Sequence, residues 1–214
     1  HQVRQIGLDA IDAGFAQPSA KKTTKGKAPN DRDAVLVVGP VGSLTSTYLK
    51  HARGYASLAR SYGATVVEVY TPNATWSRVR EAAQGANLLV YLGHGNGYPN
   101  PYNATLDPTK VDGFGLNPTL TSGNTKTKYF GEAYVKDAIT LAPNAVVLLN
   151  HLCYAAGSSE PGRANPSLKV AKQRVDNYAA GFIRAGAAAV VAEAHMGPAW
   201  YVRQLLTTKS SIET

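Results

Sequence analysis

The chain has 214 residues, 44% of them hydrophobic and 17% charged, enough apolar surface for one folded domain to bury a core and too much for a disordered segment. Lys and Arg outnumber Asp and Glu by 22 to 14; part of that excess is Lys21, Lys22, Lys25 and Lys27 beside Pro18, Gly26 and Pro29, a linker rather than a basic face with interleaved aromatics, which argues against a nucleic-acid partner. The lone cysteine, Cys153, excludes an intrachain disulfide, and no apolar run approaches the roughly 18 to 20 residues that span a bilayer.

Residues 3 to 15 place Val3, Ile6, Leu8, Ile11 and Phe15 at a loose helical spacing, and residues 17 to 33 are linker. An N-terminal helical segment with its linker over 1–33, then an α/β domain over 34–214, is the expected organisation. The chain starts at His1 rather than Met, as a processed or excised one does. The Thr- and Asn-rich composition points to a secreted or cell-surface protein.

AVLVVG (34–39) is an apolar run ending at Gly-Pro, as for a strand buried on both faces. Ser43 or Thr45 caps a helix with Leu44, Tyr48, Leu49, Tyr55, Leu58 and Tyr62 on one side, closed by Gly63. TVVEVY (65–70) is a second strand, and Asn73 or Thr75 opens a helix running to Ala83 before Gly85. LLVYLG (88–93) is the third strand. Residues 98 to 128, broken by Pro99, Pro101, Pro108, Pro118, Gly113, Gly115 and Gly123, read as one long connection of the functional kind.

A helix near 129–141 and a fourth strand, AVVLLN (145–150), come next. A Gly/Pro/Ser loop over 157–167 precedes a helix over 168–185 with Val170, Val175, Tyr178, Phe182 and Ile183 inward. AAAVVAEA (187–194) is the fifth strand, ending at His195. The alternation of strand and helix predicts a three-layer αβα domain with a mostly parallel sheet.

In such sheets ligands bind beyond the carboxyl ends of the strands. His94 follows strand three, His151 and Cys153 follow strand four, and Glu193 and His195 end strand five. A thiol nucleophile needs an imidazole to accept its proton and backbone N–H groups to stabilise the oxyanion it creates. Gly95, beside His94, lets the backbone approach a substrate closely.

His94-Gly95 after an apolar strand, with a second apolar strand leading into HLCYAAG (151–157), resembles the caspase, gingipain and legumain clan of cysteine peptidases, over roughly residues 34 to 195. The resemblance implies a caspase-like fold with the flavodoxin-like strand order 2-1-3-4-5. It implies His94 as catalytic histidine, Cys153 as nucleophile, and the N–H groups of Gly95 and Cys153 as oxyanion donors. The activity implied is that of an endopeptidase working through a thioester acyl-enzyme, without a cofactor, on a peptide or protein substrate. One departure concerns the primary specificity pocket: His151-Leu152-Cys153 stands where caspases carry Gln-Ala-Cys and legumains Glu-Ala-Cys.

Tyr98, Tyr102, His151 and His195 are candidate substrate contacts around that cleft. Asp107 and Asp112, in the long loop, are candidates to receive a basic substrate residue or calcium. Two other readings stand beside the peptidase. One is a zinc site built from His94, His151 or His195 with Cys153 and Glu193; the other is a non-catalytic module whose long loop grips a peptide or glycan. GPVGSLTS (39–46) lacks the residues of a phosphate-binding loop, and NAT at 73–75 and 103–105 are glycosylation sequons.

Overall fold

The computed structural model describes residues 33–193 and 198–207; the proposed N-terminal helix and linker over 1–32, and His195, lie outside them. Five strands form the main sheet: β1 (Asp33–Val38), β2 (Thr65–Tyr70), β3 (Leu88–Leu92), β6 (Ala145–Asn150) and β7 (Ala187–Glu193), in the order β2-β1-β3-β6-β7, every neighbouring pair parallel. That is the expected 2-1-3-4-5 order once the strands of the main sheet are counted alone. The three central strands are buried along nearly their whole length, whereas the edge strand β2 is mostly exposed. Strands covered on both faces have no polar side to display, which is why β1, β3 and β6 read as unbroken apolar runs.

Alternate residues of each strand enter opposite cores. Ala34, Leu36, Val38, Leu88, Val90, Leu92, Val146 and Leu148 pack against α1 (Thr45–Ser61) and α5 (Ala199–Thr207) through Ala52, Tyr55, Ala56, Ala59, Tyr201 and Val202. Val35, Val37, Leu89, Tyr91, Val147 and Leu149 face α2 (Trp76–Ala82), α3 (Glu132–Ala138) and α4 (Leu168–Arg184). The protein is therefore a three-layer α/β domain.

Five local expectations are corrected. The 98–128 connection is not structureless: Phe114–Leu116 (β4) and Lys128–Phe130 (β5) pair antiparallel, and α3 is shorter than the helix expected over 129–141. Three-residue strands are too short to show an alternation, yet Phe114, Leu116 and Phe130 are buried, with Trp76 stacked on Phe130 at 5.2 Å. The face of α1 is also different. Its buried residues are chiefly alanines, which let the helix sit close to the sheet, while Leu44 is 54% exposed in a short 3-10 turn and Tyr48, Leu49 and Leu58 are only partly covered. Thr45 does not cap from outside that helix but begins it, its Oγ1 accepting the Val41 N–H at 3.0 Å. On α4 the inward set includes Arg174, with Val170 and Ile183 only partly buried.

Candidate functional site

The site is built on the ends of β3 and β6. These strands pair in parallel, with Leu92 opposite Asn150 as the last partners, so Gly95 and Cys153 each lie three residues farther along. They remain in contact there. A Cβ placed on Gly95 would come within 2.6 Å of the Cys153 nitrogen and closer still to its carbonyl oxygen. Only glycine fits that approach, which explains Gly95 by space rather than by flexibility. The structure thus brings together the backbone of His94-Gly95 and that of Cys153.

The backbone bends sharply on either side of the cysteine. His151 and Tyr154 have φ of 59° and 71°, a left-handed conformation that costs a bulky residue about 1 to 3 kcal/mol each and gathers at functional turns. The His151 N–H donates to the Glu193 carbonyl at 3.0 Å, tying the turn to the end of β7.

His94 is held through its backbone. The Tyr91 hydroxyl, buried beneath it, donates to a carbonyl oxygen, with those of His94 and Gly115 each at 3.0 Å, while accepting the Gly115 N–H at 2.8 Å. The His94 side chain reaches solvent, and the partial burial it does experience lowers its pKa below the usual imidazole value. Cys153 is half-buried and free. Burial raises its thiol pKa, the Glu160 carboxylate adds to that rise, and the cysteine's own backbone N–H opposes it. Burial thus pushes each of the two groups toward its uncharged form.

Around the thiol stand residues that the sequence reading did not select. The phenols of Tyr48 and Tyr129 are raised first by burial and then by the Cys153 charge, which puts both within its electrostatic reach. Glu160 accepts from the Tyr154 hydroxyl at 2.7 Å and from the Tyr102 hydroxyl at 2.8 Å. Tyr102 is thus placed at the rim by Glu160. Tyr98 is a backbone anchor: its N–H donates to Asp112 Oδ1 at 3.0 Å and its carbonyl accepts from Asn177 Nδ2 at 2.9 Å. The His151 ring lies 5.6 Å from Tyr48 and 6.4 Å from His51, centroid to centroid, both on α1. Tyr98, Tyr102 and His151 were legible in the sequence as candidate contacts, whereas Tyr48, Tyr129 and Glu160 left no signal there beyond a general richness in tyrosine, 12 residues.

The metal readings gain nothing from the geometry. Among the described residues no three His, Cys, Asp or Glu side chains gather to hold an ion. Glu193 accepts from Tyr201 at 2.7 Å. Asp107, at the surface, is held to about 2 by hydrogen bonds from Thr109 and Lys110, whereas Asp112 is fully buried and so not available to a substrate side chain. No described helix is long and apolar enough to cross a membrane.

No family model matches the chain, and no curated protein matches it. Among solved structures the chain is similar to a Streptococcus pneumonia TIGR4 flavodoxin at 13% identity, covering 81% of this chain and 94% of that one with a TM-score of 0.40. A likeness of that size carries nothing about chemistry.

Proposed function

We propose that the chain is a cysteine peptidase of the caspase-like kind, with Cys153 as nucleophile and His94 as general base. The reading begins from the neutral state of both groups. As Sγ attacks the scissile carbonyl carbon, the imidazole takes the thiol proton, and the carbonyl electrons move to an oxyanion facing the N–H groups of Gly95 and Cys153. Collapse breaks the C–N bond, and the amine leaves with the proton from His94. Water then attacks the thioester with His94 again as base, releasing the carboxylic acid and the thiol. The cycle consumes one water and needs no cofactor.

The observation that carries this reading is the contact of the Gly95 backbone with the Cys153 backbone, since it joins the histidine-bearing turn to the cysteine-bearing turn at the strand ends of an α/β sheet. The Thr- and Asn-rich composition supports action outside the cell or at its surface. The substrate is a peptide or protein running past Tyr102 and the rings of Tyr48 and His151.

The test is hydrolysis of a peptide library by the native chain and by its Cys153→Ala and His94→Ala variants, with a peptidyl chloromethyl ketone as covalent probe. Native activity lost in both variants, and label on Cys153, are expected. Hydrolysis surviving in Cys153→Ala would end the proposal.

A further inference from the structure

α4 carries a row of polar side chains that grips the loops of the site. Its N-terminus is fixed by Ser167, whose hydroxyl accepts the Val170 N–H at 3.3 Å, and its middle is seated in the core by Tyr178 and Phe182. Arg174, Asn177 and Tyr178 share one face by the three- and four-residue spacing of a helix. From that face the Asn177 amide reaches the Tyr98 carbonyl, and the Tyr178 hydroxyl reaches the Gly113 carbonyl at 2.9 Å.

Arg174 does more than either, because it touches both turns. Its Nε donates to the Pro99 carbonyl at 2.7 Å, in the segment following His94. Its Nη1 reaches the Ser158 carbonyl at 3.0 Å, the Ser159 hydroxyl at 3.2 Å and the Gly157 carbonyl at 3.5 Å, in the segment following Cys153. The guanidinium also lies over the Tyr154 ring, 4.7 Å from its centroid. Arg174 is only 6% exposed. A charge this buried on a helix is uncommon unless its donors are matched, and here a planar fork meets acceptors on two segments at once, which no other side chain does as well.

We infer that Arg174 is the positioning residue of the site, setting the cysteine turn against the histidine turn. This rests on the dyad proposed above. Arg174 touches neither reacting group. It acts through Pro99 on the strand-three turn and through Ser158 and Ser159 on the segment that leads to Glu160, whose carboxylate is held by Tyr154 and Tyr102 and lies within electrostatic reach of the thiol. Loosening the clasp lets that segment, and Glu160 with it, drift from Cys153. The turn then opens to water.

The test compares Arg174→Lys with the native chain and with Arg184→Gln, a control at the exposed end of the same helix, where the arginine pairs across to the buried Glu132 of α3 and touches neither turn of the site. Lysine keeps the charge but presents a single ammonium, which cannot span both loops. Two readouts are taken on protein whose fold is checked by circular dichroism. The first is kcat and KM for peptide hydrolysis: a loss of about tenfold to a hundredfold in kcat with little change in KM is expected, since displacements near 1 Å cost about that much. The second is the pH dependence of Cys153 alkylation by iodoacetamide, expected to shift to a lower midpoint with a faster rate as Glu160 recedes. Arg184→Gln should match the native chain in both.

A kcat within threefold of native, a loss confined to KM, or an alkylation profile superimposable on the native one overturns the inference. Alkylation needs no substrate, so the two proposals separate. If the native chain hydrolyses no peptide while the Arg174→Lys profile still shifts, the peptidase reading fails and the positioning role of Arg174 stands.

Discussion

Replacing Asp112 by Asn should stabilise the protein, and do so more at high pH than at low. Asp112 sits at the start of the β4 approach with φ of 63°, fully buried; its Oδ1 accepts from Tyr98 N–H, and its Oδ2 has no hydrogen-bond partner among the described residues. Burial raises its pKa from about 3.8 to about 7, the Tyr98 N–H opposing the rise. A carboxyl group that is harder to ionise in the folded state penalises folding wherever it must ionise. The penalty is absent below the unfolded value, grows as pH climbs from about 4, and is complete above about 7. Three pH units at about 1.4 kcal/mol each make roughly 4 kcal/mol.

Asparagine preserves the acceptor for Tyr98, tolerates the left-handed backbone, and never ionises. Measured against the native chain, its advantage should be about 1 to 2 kcal/mol at pH 5 and about 4 kcal/mol at pH 8. The difference corresponds to about 5 to 10 °C in Tm for a domain of this size. Urea or thermal unfolding of both proteins at the two pH values measures it. An advantage that is the same at pH 5 and pH 8, or a variant less stable at pH 8, would refute the reasoning, because it would mean that no buried ionisation is being relieved.

Two further outcomes follow from the site. Gly95→Ala must push a methyl group into the Cys153 backbone; we expect a loss of about a hundredfold or more in kcat with about 1 to 3 kcal/mol of stability, and normal kcat would mean that the contact plays no part in the reaction. Glu160→Gln removes the nearby negative charge that helps raise the Cys153 thiol; the midpoint of its alkylation profile should fall, burial keeping it above that of an ordinary cysteine, and an unmoved midpoint would show that Glu160 does not act on the thiol.

What could be read in advance, and what could not, divides along physical lines. β1, β3 and β6 were legible because strands covered on both faces must be apolar throughout, and turn residues mark where each run stops. The β4–β5 hairpin was not, since three-residue strands among prolines and glycines carry no period. Its buried Phe114 and Phe130 become core residues only once Trp76 and α4 are in place above them. The alanine face of α1 was hidden for a related reason: the larger Leu44 and Tyr48 dominate a hydrophobic pattern, but a helix lying close on a sheet buries its smallest residues deepest.

The site divides the same way. Cys153 and the histidine turn could be paired from sequence because parallel register carries past the ends of strands: Leu92 stands opposite Asn150, and equal steps beyond lead to Gly95 and Cys153. That the contact survives is not guaranteed by register alone, since His151 turns left-handed immediately after β6. Something must bring the departing chain back. Arg174 supplies that from the opposite direction, bonding the segments that follow both turns. In the sequence it is one more charged residue in KVAKQRVDN (169–177), indistinguishable from the solvated lysines beside it. Only the topology, which lays both loops across the same helix, converts it into a buried clasp. Strand register thus accounts for which residues meet, and a side chain remote in sequence accounts for why they stay together.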